Sequence, residues 1–238
     1  MTEKVALCIK NDVITTLKLH GLNGGSLQIG VTNLDGLAKI AKDWETELVP
    51  RSVCDHKTVI DKERRQLLPY FALVRKNEEG KNEVYTYLRG KAGDEGRLHD
   101  LYSVGLGGHV DSQENTNLIA HLAAEAAREL KEEAGIDLTI NQIYKEMDRG
   151  LFLVADSAAP VEQVHFGLFF VIVVPFDTVV TPEEGAVEKG DWMSVKAVTT
   201  QLITGTQFET WTQYMIQHVL DQDEPINPKA FDTFGFTQ

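Results

Sequence analysis

The stretch RELKEEAGI, residues 128 to 136, places Glu129, Glu132 and Glu133 directly after Arg128 and closes on Gly135 and Ile136. At about 100° of rotation per helical residue the three glutamates fall within an arc of roughly 100°. Upstream, Leu118, Ile119, Leu122, Ala123, Ala126, Ala127 and Leu130 recur at helical spacing. The spacing predicts a helix over 116–134 with one packed face and Gly135 as its C-cap. A glutamate-rich face is most often solvated. Here the carboxylates border the apolar stripe instead of lying opposite it. Partly desolvated carboxylates repel more strongly, and a divalent cation is the usual remedy. Oxygen-only ligands favour Mg2+ or Mn2+ over zinc.

Outward from this helix the chain reads as strands. They are LLPYFALVR (67–75), EVYTYLR (83–89), LYSVGLG (101–107), GLFLVA (150–155), VHFGLFFVIVV (164–174) and DWMSV (191–195). A second helix is expected around 207–220, with Phe208, Trp211, Tyr214, Met215 and Val219 at helical spacing. Residues 33–48 also read as a helix, through Leu34, Leu37, Ile40, Ala41, Trp44 and Leu48. The first 32 residues, with VALCI, VITTLKL and the turn GLNGG, read as weak strands. Strands with helices packed on them imply an α+β fold, layered α/β/α.

The 238 residues, 42% hydrophobic, are enough to bury a substantial core. A formal charge of −13 argues against binding along a nucleic-acid polymer, which needs a basic surface. The longest apolar run, FGLFFVIVVPF (166–176), is too short to span a bilayer, and MTEKVALCIKND carries no signal-peptide pattern. A soluble cytoplasmic protein without a membrane partner is expected. Cys8 and Cys54 offer neither a disulfide framework nor a zinc quartet and read as free thiols.

GLGGHVDSQE (105–114) followed by RELKEEAGI resembles the Nudix box, G-x5-E-x7-R-E-U-x-E-E-x-G-U with U aliphatic. Gly108 and Glu114 fit its first half; Arg128, Glu129, Leu130, Glu132, Glu133, Gly135 and Ile136 fit the second. The pattern departs in one place, because thirteen residues, 115 to 127, separate Glu114 from Arg128 where the family has seven. The extra six residues either loop out or lengthen the helix. The unbroken apolar stripe favours the longer helix, which makes Glu125 the nearest upstream carboxylate. VPRSVCD, LLPYFALVR, RGKAGDEGRLHDLYSVGLGGHV, VHFGLFFV and FETWTQ extend the likeness to a subfamily of predicted Nudix phosphoesterases, over about residues 48 to 215.

The resemblance implies a Nudix fold, a central mixed sheet between helices, for residues 48–238. Residues 1–47 are then an N-terminal extension or small subdomain, or an arm that packs on a partner subunit in a homodimer. The implied activity is metal-dependent hydrolysis of a diphosphate linked to another moiety, by attack of water on phosphorus, with Mg2+ or Mn2+ as cofactor. Glu132, Glu133 and the carbonyl of Gly108 are the implied metal ligands. Glu129 is a third ligand or the base, and Arg128 orients Glu132. A later loop carboxylate is expected at Glu188, with Glu183 and Glu184 behind it. Arg89, Arg97, His99 and His109 are candidates to bind the anionic small-molecule substrate, with Lys91 beside Arg89 and with Arg51 as a lesser candidate. His165, on an apolar strand, reads first as a core histidine. Two other classes stay open: a nucleotide-binding sensor without catalysis, and an isoprenoid-diphosphate isomerase. The intact REUxEExGU pattern argues against the first, and the lack of a cysteine near the box against the second.

Overall fold

A computed structural model describes residues 4–17, 19–22, 27–56, 59–60, 63–91, 96–111, 117–156, 160–182, 187–227 and 229. The strands, in chain order, are β1 (Val5–Lys10), β2 (His20–Leu22), β3 (Leu27–Thr32), β4 (Thr46–Pro50), β5 (Asp55–His56), β6 (Val59–Ile60), β7 (Arg64–Lys76), β8 (Asn82–Arg89), β9 (Tyr102–Ser103), β10 (Gly105–Leu106), β11 (Leu151–Asp156), β12 (His165–Val173) and β13 (Val187–Ser194). The helices are α1 (Asn11–Thr16), α2 (Leu34–Ala41), α3 (Arg51–Cys54), α4 (Leu118–Ala134), α5 (Ile140–Arg149), α6 (Pro160–Gln163), α7 (Val195–Ile203) and α8 (Thr210–Tyr214). A single π turn, Met215–Val219, continues α8.

The long strand β7 organises the sheet. On one side it runs parallel to β12, from His165↔Gln66 to Val173↔Val74. On the other it is shared by β1, β10 and β8 in turn, all antiparallel. The main path runs β13-β8-β7-β12-β11-β3-β2. Strands β1 and β3, drawn from the first 47 residues, therefore pair within this same sheet, on β7 and β11.

Alternate residues of the central strands face opposite layers, as the period of two requires. Phe71, Leu73, Phe166, Leu168 and Phe170 pack with Leu37, Leu122, Leu130 and Ile143, under α2, α4 and α5. Tyr70, Ala72, Val74, Phe169 and Val171 pack with Val198, Trp211, Tyr214 and Met215, under α7 and α8. The result is a mixed sheet between two helical layers, the α+β arrangement expected. Cys8 and Cys54 are buried thiols and are not joined in a disulfide. No helix among the described residues is long and apolar enough to cross a membrane.

The helix expected over 33–48 ends at Ala41, and Thr46–Pro50 is instead a strand. Pairing with β1, from Val5↔Pro50 to Ile9↔Thr46, outweighs the local periodicity. VITTLKL, expected as a strand, begins instead as helix α1. Residues 101–107 form two short strands, separated at Val104. The GLNGG turn falls largely on residues 23–26, outside those described.

Candidate functional site

Helix α4 starts where Asn117 caps it, its side chain accepting from the Ile119 and Ala120 N–H groups. It ends at Gly135, whose φ of 68° is in the left-handed region and whose N–H reaches the Lys131 carbonyl at 3.0 Å. Leu122, Ala123, Ala126, Leu130 and Ala134 are buried against the sheet. That packing fixes the rotation of the helix and brings the glutamate face against the turn that follows β10. The Gly107 N–H donates to Glu133 Oε2 at 2.8 Å. At Gly108 an added Cβ would lie 2.0 Å from Glu129 Oε1, so only glycine lets the carboxylate approach this closely. RELKEEAGI and the glycines of GLGGHV thus meet in space.

Arg128 sits over this face. Its Nε donates to Glu125 Oε1 at 2.8 Å and its Nη1 to Glu132 Oε2 at 2.5 Å, while Nη2 reaches both Glu125 and Glu129. Glu125, which the sequence offered as the nearest upstream carboxylate, is 5% exposed and faces the same cluster. Glu114 lies outside the described residues. Burial, and then the charge of Glu133, pushes the Glu129 carboxyl up to about 8 against the pull of Arg128. Burial raises Glu133 as well, opposed by Arg89 and the Gly107 N–H. Burial also raises Glu125, opposed by Arg128.

On the far side of Gly107 and Gly108 a cavity opens, lined among others by Tyr70, Arg89, His109, Glu162, His165 and Trp211. Of the expected substrate-binding residues, Arg89 and His109 are in its wall, while Arg97 and His99 flank the wall residue Leu98. Arg89 is committed to Glu209, Nε to Oε2 at 2.7 Å. Glu209 also accepts from Ser103 Oγ at 2.6 Å, from Thr212 Oγ1 at 3.2 Å and from the Tyr70 hydroxyl. His165 is buried, and its Nδ1 donates to the Val161 carbonyl at 2.6 Å. Its Nε2 is then an acceptor, and the contact from His109 Nε2 at 3.1 Å is a donation from His109. Burial, and then the neighbouring His165, hold the His109 pKa well below its usual value.

The backbone at residue 188 lies at a bulge of β13, opposite the Arg89 end of β8. The side chains of Glu183, Glu184 and Glu188 are outside the described residues. Sequence reasoning missed Glu209, Glu162 and Trp211. For Glu209 and Trp211 the signal was FETWTQ, which becomes meaningful only once the Glu209 N–H bonds the Tyr102 carbonyl and draws that segment against β9.

Among the described residues no three His, Cys, Asp or Glu side chains converge in ready-made metal-binding geometry. Glu129 and Glu132 are turned onto Arg128 instead. The donor chemistry nevertheless fits a hard divalent cation: carboxylates in excess of the arginine they pair with, Arg128, partly desolvated, beside a glycine turn.

No protein-family model matches the chain. Protein YmaB of Bacillus subtilis (strain 168) is 31% identical over 153 residues, which cover 64% of this chain and 69% of that protein. Among solved structures, the crystal structure of Tm1382, described as a candidate Nudix hydrolase, superposes with a TM-score of 0.64. It is 17% identical, over 90% of this chain and 96% of that one. The Nudix domain of Shewanella oneidensis NrtR, solved with ADP ribose, aligns over 68% of this chain and 89% of its own, at 12% identity and a TM-score of 0.45. The sheet between its helical layers is the fold seen in Tm1382, and the chain belongs to the same family as Protein YmaB.

Proposed function

We propose that the protein is an enzyme, a divalent-metal-dependent hydrolase that cleaves the diphosphate linkage of a nucleoside diphosphate joined to another group. The observation that carries this reading is the approach of Glu129 and Glu133 to Gly107 and Gly108, at the border of a cavity. Glu129, Glu132 and Glu133, with the Gly108 carbonyl, would hold Mg2+ or Mn2+, and Glu188 is the proposed later-loop carboxylate. When bound, the metal supplies charge to a phosphoryl oxygen and makes water a stronger acid.

The chain's own residues do the rest. The Gly107 N–H fixes one oxygen of Glu133. Arg128 holds Glu132 through the i+4 pair and sets its rotamer. Glu129, where it does not ligate, takes the proton of the attacking water on a carboxylate oxygen. Arg97 and His99, beside Leu98 at the cavity wall, are the proposed phosphate contacts.

The test is a screen of nucleoside and dinucleotide diphosphates with Mg2+ or Mn2+, following phosphate-ester products. Turnover of at least one is expected, abolished by excess EDTA while the circular dichroism of the fold persists. Absence of turnover across the panel, or full turnover in EDTA, overturns the reading.

A further inference from the structure

Between β9 and β10 the chain changes neighbours. Ser103 lies opposite Tyr87 on β8, and Gly105, two residues on, lies opposite Ala72 on β7. Buried backbone groups at such a crossing still need partners. Side-chain hydroxyls meet them here. The Val104 N–H donates to Thr212 Oγ1 at 2.9 Å, and the Gly105 N–H to Ser103 Oγ at 3.1 Å. The Ser103 proton has two acceptors within reach, Glu209 Oε1 at 2.6 Å and the Gly105 carbonyl at 2.9 Å. The shorter bond, to the charged acceptor, takes it. The Gly105 carbonyl is then served by the Tyr87 hydroxyl at 2.6 Å. Thr212 Oγ1 likewise donates to Glu209 Oε1, at 3.2 Å. One carboxylate oxygen thus commits the protons of two hydroxyls, and each hydroxyl turns a lone pair to one backbone N–H. All three residues are buried.

We propose that Glu209 is a positioning residue: through Ser103 and Thr212 it sets the Val104–Gly105 backbone and so aims the Gly107–Gly108 turn at the glutamates of α4. Two residues past Gly105, the Gly107 N–H meets Glu133 Oε2 at 2.8 Å, and Gly108 lies against Glu129. The turn has little slack. Gly107 has a φ of 144°, and a Cβ there would lie 2.1 Å from the Pro69 carbonyl oxygen, so its backbone is pressed onto β7. Glu209 is itself held at both ends. Its N–H donates to the Tyr102 carbonyl at 3.0 Å, and its carboxylate receives Arg89 Nε at 2.7 Å. The catalytic meaning of this clamp rests on the hydrolase reading, in which Glu133 and the Gly108 carbonyl hold the metal. Glu209 touches neither metal nor substrate in that reading and acts through the backbone alone.

Thr212→Val keeps the side-chain volume and removes the hydroxyl, whereas Thr212→Ser keeps the hydroxyl and removes a methyl. Ser103→Ala removes the other hydroxyl. Amide hydrogen exchange in the metal-free proteins reads the turn itself. Exchange at Gly107 should quicken at least about tenfold in Thr212→Val and in Ser103→Ala, the scale of one hydrogen bond, while Phe170 in β12 stays protected. Thr212→Ser should match the native protein at Gly107. Calorimetric titration of the folded proteins with Mn2+ should show affinity about tenfold weaker in the same two variants and restored in Thr212→Ser. A merely structural role would lower the melting temperature and leave the Mn2+ affinity of the folded protein unchanged. Unaltered Gly107 exchange in both hydroxyl-free variants, an equal quickening in Thr212→Ser, or native Mn2+ affinity in both hydroxyl-free variants would overturn the positioning role. Where one of these two variants does not fold, the other carries both measurements. A native protein that binds no Mn2+, with Gly107 exchange quickened as expected, would defeat the metal-hydrolase reading and leave the positioning of the turn standing; Mn2+ bound equally by all four proteins would defeat the positioning alone.

Discussion

Two arginine–glutamate clusters flank the Gly107–Gly108 turn, and they are composed differently. In one, Arg89 meets Glu209, whose oxygens are further covered by Ser103, Thr212 and Tyr70. Charge is balanced there and the lone pairs are filled. In the other, among the described residues, Arg128 pairs with Glu125, Glu129 and Glu132, while Glu133 lies beside Glu129, accepts from the Gly107 N–H and feels the charge of Arg89 without an ion pair to it. Burial first, and then the charge of Glu133 beside it, push the Glu129 carboxyl up to about 8, against the pull of Arg128. A cluster serving the scaffold alone would be balanced like the first. The unbalanced one has the composition of a site completed by further positive charge.

The sharpest way to break this comparison is to unbalance the balanced pair. Glu209→Gln leaves the Arg89 guanidinium without its charge partner in a buried setting, which typically costs about 3–5 kcal/mol. Denaturant unfolding reads it directly, and an unchanged midpoint would remove Arg89–Glu209 from the scaffold. In the other cluster Glu132→Gln and Glu133→Gln preserve shape while removing negative charge. Each should leave the melting temperature near native and lower kcat by at least about a hundredfold, the scale of a positioned catalytic group. Near-native turnover in either variant would move the site elsewhere. The smallest effect is expected upstream, where Glu125→Gln loosens Arg128 and so disturbs Glu132 indirectly. Turnover should fall only several-fold, because Arg128 keeps its contacts to Glu129 and Glu132, and Glu114→Gln should change it less. A large selective loss in Glu114→Gln would show that the residues before Asn117 return Glu114 to the site.

The unbalanced cluster was legible in the sequence, and the balanced one was not. Helix α4 carries its own instructions: a continuous apolar stripe, glutamates at i, i+3 and i+4, and a C-capping glycine. All of these lie within one stretch of chain. Helix α5 was equally local but overlooked, although Thr139 and Gln142 form a capping box that marks its start. Leu48 misled the reading of residues 33–48, because it matches the helical period yet is 39% exposed on strand β4. Glu209 and Trp211 become site residues only through contacts with residues more than a hundred positions earlier, such as Ser103 and Tyr70. No local pattern encodes such contacts. His165 combines both cases: its apolar strand correctly marks it as buried, while its bond to His109 depends on the parallel pairing of β12 with β7.

The claim that the excess of carboxylates on α4 is completed by a cation is tested most directly by thermal melting against increasing Mn2+, with the native protein and Glu133→Gln side by side. A ligand that binds only the folded state raises the melting temperature with its concentration. The native protein should rise by several degrees at saturating Mn2+, while Glu133→Gln should melt near the metal-free native temperature and respond weakly. An equal rise in both, or none in the native protein, would contradict the assignment of the α4 glutamates as a metal site.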